Sequence, residues 1–377
     1  ERAYGEEDGS DCLAFAESEL IGISKELDKK DLVSAGDVGE EVVKKLQEMC
    51  KNEGKPDVIE IPFPELNKNL HGLHRSDLII LAARPSVGKT AFALNIAQFA
   101  AMEGKKVAIF SLEMPKEQLY TRMLSSISGV KMEKLRENST AGQPTVDEWQ
   151  KIWAAHKKLS DSKMYIDDSG MVTYANVLSR CRRLKKELGG LDLITIDYLQ
   201  LMDNVNKRKN DSRQNDISEI SRNLKIIARE LDVPLIALSQ LSRSVEGRTE
   251  KKPRLSDLRE SGAIEQDADI VMFLYRPDVD ENNNEDRSKV ELTVQKHRNG
   301  ELCDIPLQWQ GETVTFKEMP SLEAMYLEEE RRKRRAAAKK QQTSAASAEE
   351  NIPHESDAPW NTPENTPGKE ENGDLEY

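Results

Sequence analysis

Ser86-Val87-Gly88-Lys89-Thr90 has the residue types and spacing to hold a chain of phosphates. It follows an apolar run, Leu78 to Ala82, that predicts a buried strand, and precedes Ala91 to Ala101, which predicts a helix. Strand, loop ending Gly-Lys-Thr, then helix is the context in which backbone N–H groups and a helix N-terminus face a phosphate. Gly88 lets the backbone approach closely. Lys89 supplies a mobile cation for the outer phosphates, and Thr90 a hydroxyl for Mg²⁺. Where such loops usually open on glycine, this chain has Ala83. The triplet alone would fit an ordinary turn; its flanks favour nucleotide binding.

Reactive groups of open α/β sheets gather at the carboxyl ends of strands. Three predicted strand ends carry polar residues. Leu193 to Ile196 ends at Asp197, where a carboxylate either holds Mg²⁺ through water or caps the next turn. Val107 to Ser111 leads into Glu113, either the base that polarises an attacking water or a solvated loop residue. Leu235 to Ser239 ends at Gln240, an amide that either senses a γ-phosphate or satisfies backbone groups. Lys296 and Arg298 lie two apart beside the turn signal Asn299-Gly300, so they project from one strand face. They either blunt a sheet edge or act on the γ-phosphate of another subunit's nucleotide. Two basic loops, Asn204 to Gln214 and Arg243 to Arg259, lack aromatics and suit sequence-independent phosphate contacts, if they are not simply solvated.

The elements that must position these groups alternate from Asp77 to Phe316. Further strands are predicted at Met164–Ile166, Ile270–Tyr275, Val290–Lys296, Ile305–Gln310 and Val314–Phe316. The early strands are continuous apolar runs separated by helical segments, which implies a mostly parallel sheet with helices on both faces. The later ones are closely spaced and end in an antiparallel hairpin. Ahead of this core, residues 1–12 are acidic and expected to be disordered. Leu13, Ala16, Leu20, Ile23 and Leu27 form a narrow heptad-like seam on a helix, with Gly22 inside it. That helix packs either on its own domain or on a neighbouring subunit. A second helix is expected from Val38 to Cys50 with Asp37 as its N-cap, then a linker from Asn52 to Pro64. The division is therefore 13–62 for the linker helix and connecting segment, 63–320 for the core, and 321–377 for a charged, mostly disordered tail.

Composition narrows the function classes. A net charge of −13 excludes a globally basic nucleic-acid binder but not a local basic channel. Four scattered Cys without a CxxC argue for a reducing cytoplasm and against a disulfide scaffold or zinc site. No apolar run is long enough to span a membrane, and the start at Glu1 suggests a fragment or processed chain.

Six stretches together resemble the bacterial replicative DNA helicase family, the DnaB family. They are Leu81–Thr90, Ser111-Leu112-Glu113-Met114-Pro115, Ile196–Leu201, Ala237–Arg243, Asp257–Gly262 and Lys296–Gly300, all in order within Phe63 to about Met319. Ala83 in the glycine position is itself typical of that family. The resemblance implies a RecA-like ATPase core in a hexameric ring, using ATP and Mg²⁺. Ser86, Val87, Gly88, Lys89, Thr90, Glu113, Asp197 and Gln240 would act from one side of each interface, with Lys296 and Arg298 from the next protomer. Arg122 would also reach the nucleotide. Single-stranded DNA would pass through the channel against Arg259, Glu260 and Gly262, with 5′ to 3′ movement on the encircled strand. The seam Leu13–Leu27 would be the linker helix that docks on an adjacent core. A helicase loader and other replisome proteins would be further partners, in the cytoplasm at the nucleoid. The family's N-terminal helical domain, which primase uses, has no counterpart here, so primase binding is not expected of this fragment. Two rivals remain: a RecA-like recombinase or clock-type ATPase, and a non-hydrolysing module that ATP assembles on DNA. A small-molecule kinase is disfavoured, because nothing resembles an acceptor-substrate lid.

Overall fold

The computed structural model describes residues 33–51, 58–136, 142–170, 173–199, 202, 213–242, 248, 252–258, 262–277 and 288–320. The chain divides into two units, Glu1–Met319 and Pro320–Tyr377, and every described element belongs to the first. The linker seam Leu13–Leu27, the loop 203–212 and the tail 321–377 lie outside the described residues.

Helix α1 spans Ala35–Lys51. It starts earlier than expected, and Asp37 is not its cap. Ser34 Oγ accepts from Asp37 N at 3.1 Å and donates to Asp37 Oδ2 at 2.8 Å, which moves the start three residues back. The stretch predicted as linker already enters the core at its end, because Ile59, Ile61 and Phe63 alternate inward. Pro64 then opens the short helix α2, Pro64–Leu70, where its missing N–H costs nothing.

The strands are β1 (Leu78–Ala83), β2 (Val107–Ser111), β3 (Met164–Asp167), β4 (Leu193–Asp197), β5 (Leu235–Gln240), β6 (Ile270–Tyr275), β7 (Lys289–His297), β8 (Cys303–Gln310) and β9 (Thr315–Glu318). They form one sheet in the order β3-β2-β4-β5-β1-β6-β7-β8-β9. From β3 to β6 every pairing is parallel, and from β6 to β9 every pairing is antiparallel. The expected mostly parallel sheet with a terminal antiparallel hairpin is therefore present, extended by β9. That last strand starts one residue later than predicted: Val314 takes a positive φ of 55° in the turn and cannot extend the ladder.

The helices between strands are α3 (Lys89–Met102), α4 (Lys116–Ser128), α5 (Val146–Asp161), α6 (Tyr174–Leu188), α7 (Arg213–Leu231) and α8 (Gly262–Asp267). β1 shows why the sheet needs both layers. Ile79, Leu81 and Ala83 point into one core with α3 and α4. Leu78, Ile80 and Ala82 point into the other with α6 and α7. With both faces buried, the strand reads as an unbroken apolar run. Among the described residues, no helix is long and apolar enough to cross a membrane.

Candidate nucleotide site

The phosphate loop leaves the end of β1 at the centre of the sheet. Ala83 is the last residue of that strand, paired with Gln240 of β5 and fully packed. Because it is extended, a Cβ is tolerated there. The positive-φ positions of the loop lie further on, at Ser86 (65°) and Gly88 (113°). Gly88 caps α3, and a Cβ on it would meet Phe316 Cζ of β9 at 2.7 Å. Glycine is therefore required at 88 by backbone conformation and by contact.

One strand, β5, separates β1 from the strand that ends in the carboxylate. β5 and then β4 follow in the sheet, so Asp197 lies about 10 Å across from β1. The first turn of α3 closes that gap. Thr90 Oγ1 donates to Asp197 Oδ2 at 2.6 Å, and Lys89 Nζ lies 3.5 Å from Asp197 Oδ1. Asp197 is 3% exposed, and its Oδ1 accepts no hydrogen bond. The Lys89 ammonium also lies 4.5 Å from the centroid of the Tyr198 ring. The Asp197–Tyr198 peptide is cis. Burial pushes Lys89 below its ordinary pKa, and Asp197, then Glu113, pull it back up. Asp197 thus balances the buried Lys89 ammonium at the mouth of the loop.

Glu113 is exposed on the turn after β2. Ser111, itself buried, fixes that turn: its Oγ donates to Met114 O at 2.7 Å and accepts from Met114 N at 3.2 Å. Leu112 N donates to Asp197 O at 2.7 Å, which ties the Glu113 turn to the end of β4. Arg122 stands on α4, the helix that follows. Burial lowers its pKa, opposed by Asp197 and Glu113, so all three share one electrostatic neighbourhood. Gln240 ends β5, between β4 and β1. Ser86, Gly88 and Arg122 line a cleft of about 1230 Å³, together with Trp309, Gly311 and Val314 from the β8–β9 region. That is room for a nucleotide-sized ligand.

Trp309 and Phe316 were not legible as site residues. Their rings lie 4.6 Å apart, and Phe316 also packs edge-on against Phe92 of α3. The pair forms the floor beneath Gly88. The only sequence signal for them is the glycine itself.

Lys296 and Arg298 do not join this cluster. They share one face, as expected, but at the opposite end of the sheet. His297, between them, pairs with Ile270, which pairs with Ile79, about 13 Å along the strands from Ala83. Lys296 Nζ donates to Glu265 O and Gln266 O, and Arg298 Nη2 donates to Gln266 O, at the carbonyl end of α8. Burial, then the neighbouring Arg298, lowers the Lys296 pKa.

Of the DNA-contact candidates, Gly262 opens α8, and among the described residues nothing beyond its chain neighbours and its own helix backbone lies within 4 Å of where a Cβ would stand. Arg259 and Glu260 lie outside the described residues. In the basic loop before them, Arg248 pairs with buried Asp257 and Lys252 with Asp304, so these two cations are engaged by the fold.

The family model for the DnaB-like helicase C terminal domain matches residues 59–318, which include every one of these positions. The chain belongs to this family. It is 44% identical over 308 residues to the replicative DNA helicase DnaC of Bacillus subtilis (strain 168), covering 81% of this chain and 66% of that protein. It is 44% identical over 311 residues to the replicative DNA helicase DnaB of Geobacillus stearothermophilus, covering 82% and 67%. The chain thus spans about two thirds of the length of these relatives. Among solved structures it is similar to a separately solved ATPase domain, with a TM-score of 0.68, 38% identity, and coverage of 76% of this chain and all of that one. It is also similar to a DnaB-like replicative helicase studied for its interactions with primase, with a TM-score of 0.67, 36% identity, and coverage of 79% and 71%. The DnaB-like fold is RecA-like, which accounts for the strand order around β1.

The donor set suits Mg²⁺. One carboxylate oxygen without a hydrogen bond and one hydroxyl, placed where phosphates would lie, are what an ion that keeps most of its waters takes from a protein. Among the described residues, no group of three or more His, Cys, Asp or Glu is placed to hold a metal ion.

Proposed function

We propose that this chain is the motor of a replicative DNA helicase: it hydrolyses ATP at the interfaces of a hexameric ring and moves 5′ to 3′ on single-stranded DNA in the cell interior. One observation carries the reading. Lys89 and Thr90 converge on Asp197 at one end of the sheet, while Lys296 and Arg298 stand at the other end, out of reach of that pocket. A pocket whose completing cations lie elsewhere on the same chain is completed by a second copy.

In that assembly the loop amides from Ser86 to Gly88 and the start of α3 bind the phosphates. Lys89 neutralises the outer phosphates, and its pairing with Asp197 relaxes as they arrive. Thr90 and Asp197 would hold Mg²⁺, which supplies charge neutralisation at the phosphates. Glu113, positioned by Ser111, takes the proton from the attacking water. Gln240, at the end of β5, senses whether the γ-phosphate is present. Arg122 contacts the nucleotide. Arg298 and Lys296 of the adjacent protomer stabilise the charge that develops on the transferred group, a role worth roughly 10³–10⁵ in rate. Arg259, Glu260 and the open backbone at Gly262 would track the DNA phosphates.

Ring assembly has a supporting surface. Val146, Trp149 and Trp153 lie on one side of α5 and are 76%, 47% and 63% exposed. Their three- and four-residue spacing matches the seam Leu13–Leu27, which would dock there from a neighbour. Replacing both Trp149 and Trp153 by Ala should lower the solution mass of the assembly without lowering its melting temperature. An unchanged mass would remove α5 as the docking face.

The deciding experiment is Arg298→Ala, assayed for ATP binding, hydrolysis stimulated by single-stranded DNA, and fork unwinding at both polarities. Binding should survive while hydrolysis and unwinding are lost. Full turnover in that variant would refute the shared pocket, and strand pairing without unwinding would favour the recombinase reading.

A further inference from the structure

We infer that Asp269 is a positioning residue for the Arg298 guanidinium; the inference rests on the reading above that Arg298 completes a neighbour's pocket. Asp269 lies between α8 and β6 and is 6% exposed. A buried carboxylate is costly unless its oxygens are occupied. The occupants divide between its two oxygens. Oδ2 accepts from Leu78 N at 2.8 Å and from the Lys225 ammonium of α7. Oδ1 faces Arg298 Nε at 3.6 Å. The backbone repeats the arrangement: Asp269 N donates to Leu78 O at 2.9 Å, and Arg298 N donates to Asp269 O at 3.0 Å. One oxygen is thus fixed to the framework and the other is presented to the finger.

The guanidinium is held along one edge. Nε faces Asp269 Oδ1, and Nη2 donates to Gln266 O. A planar fork gripped at Nε and Nη2 has its plane set and turns the Nη1 side outward, ready for a phosphate oxygen. Lys225 balances the carboxylate on Oδ2, so the grip on Arg298 is a directed contact rather than a collapsed pair. Leu78 begins β1, the strand that ends in the chain's own phosphate loop. Asp269 therefore fastens the cation given to the neighbour to the strand that carries this protomer's own pocket. α8, which supplies the second grip, starts at Gly262, next to the segment expected to meet DNA.

The test is Asp269→Asn in the full chain, alone and mixed with excess Lys89→Ala protomers, which have a disabled pocket but an intact finger. Alone, the variant should bind ATP as the parent does, melt below the parent because Lys225 loses its buried counter-charge, and hydrolyse about a hundredfold more slowly at a temperature where both are folded, the scale of an ångström-sized misplacement. On mixing, hydrolysis should recover, because the intact pockets of the variant now receive a well-held Arg298 from Lys89→Ala neighbours. Damage local to the variant's own pocket could not be repaired in this way. Recovery of Arg298→Ala but not of Asp269→Asn under the same mixing would overturn the role of Asp269 alone. Failure of Arg298→Ala to recover would overturn the shared pocket and this inference with it. If Asp269→Asn does not fold, Asp269→Glu replaces it with the same readout, since it keeps the charge for Lys225 but displaces the oxygen that faces Arg298.

Discussion

Thr90 Oγ1 donates a 2.6 Å hydrogen bond to Asp197 Oδ2, joining the first turn of α3 to the end of β4 across 107 residues of sequence. The other oxygen of the same carboxylate faces Lys89 at 3.5 Å and takes no hydrogen bond. The pocket is therefore preassembled on its protein side, with the acceptor capacity a hydrated cation would use left over. Asp197→Asn should lower hydrolysis by roughly a hundredfold or more, the scale of losing one preorganised electrostatic group. Nucleotide binding measured in EDTA should be unchanged. Comparable turnover with and without the carboxylate would show that Asp197 does no more than cap its strand.

Glu113 depends on Ser111 for its place. Glu113→Gln should retain nucleotide binding and lose about 10²–10⁴ in kcat, as expected for removal of a general base. Ser111→Ala should give a smaller loss in kcat, because the Met114 backbone loses both of its contacts to the hydroxyl. Steady-state hydrolysis with a parallel binding titration separates the two effects. Unchanged kcat in Glu113→Gln would make it a solvated turn residue.

Gly88 is constrained twice, by φ of 113° and by the ring of Phe316. Gly88→Ala should cost about 1–3 kcal/mol of strain and weaken ATP binding, because relief requires the loop to leave Phe316. Thermal melts and fluorescent-nucleotide titration check both parts. Unaltered affinity would mean that the loop adjusts freely, and Phe316 would then not act as its floor.

Helix α5 begins with a capping box in which Thr145 and Glu148 bond reciprocally. The Lys134 ammonium, then the Thr145 amide, bring the Glu148 carboxyl down to about 2 from an ordinary 4.5. Because the folded value is the lower, the contribution of Glu148 to stability is fully present above about pH 4.5 and is lost as pH falls toward 2. Glu148→Gln should melt earlier than the parent near neutral pH, and the two melting temperatures should converge on acidification. A gap that stays constant with pH would rule out the charge as its cause.

Much of the fold was legible because its signals are local. β2, β4 and β6 begin and end where apolar runs predict, since a strand buried on both faces has no polar alternation to confuse. The boundaries that moved did so for local chemistry of another kind. Ser34 outcompeted Asp37 as a cap, and Val314 turned instead of pairing.

By itself the sequence determined the parts: the Gly-Lys-Thr loop between a strand and a helix, and carboxylates and an amide at strand ends. These follow from residue type and spacing within a dozen positions. Only the tertiary structure decided which parts meet. Strand order places Gln240 and Asp197 beside the loop. The β8–β9 turn brings Trp309 and Phe316 under Gly88. β6 and β7 carry Lys296 and Arg298 to the far end, where Asp269 holds one of them. Order within a sheet is set by how two layers of helices cover it, and that packing leaves no periodic trace in the chain.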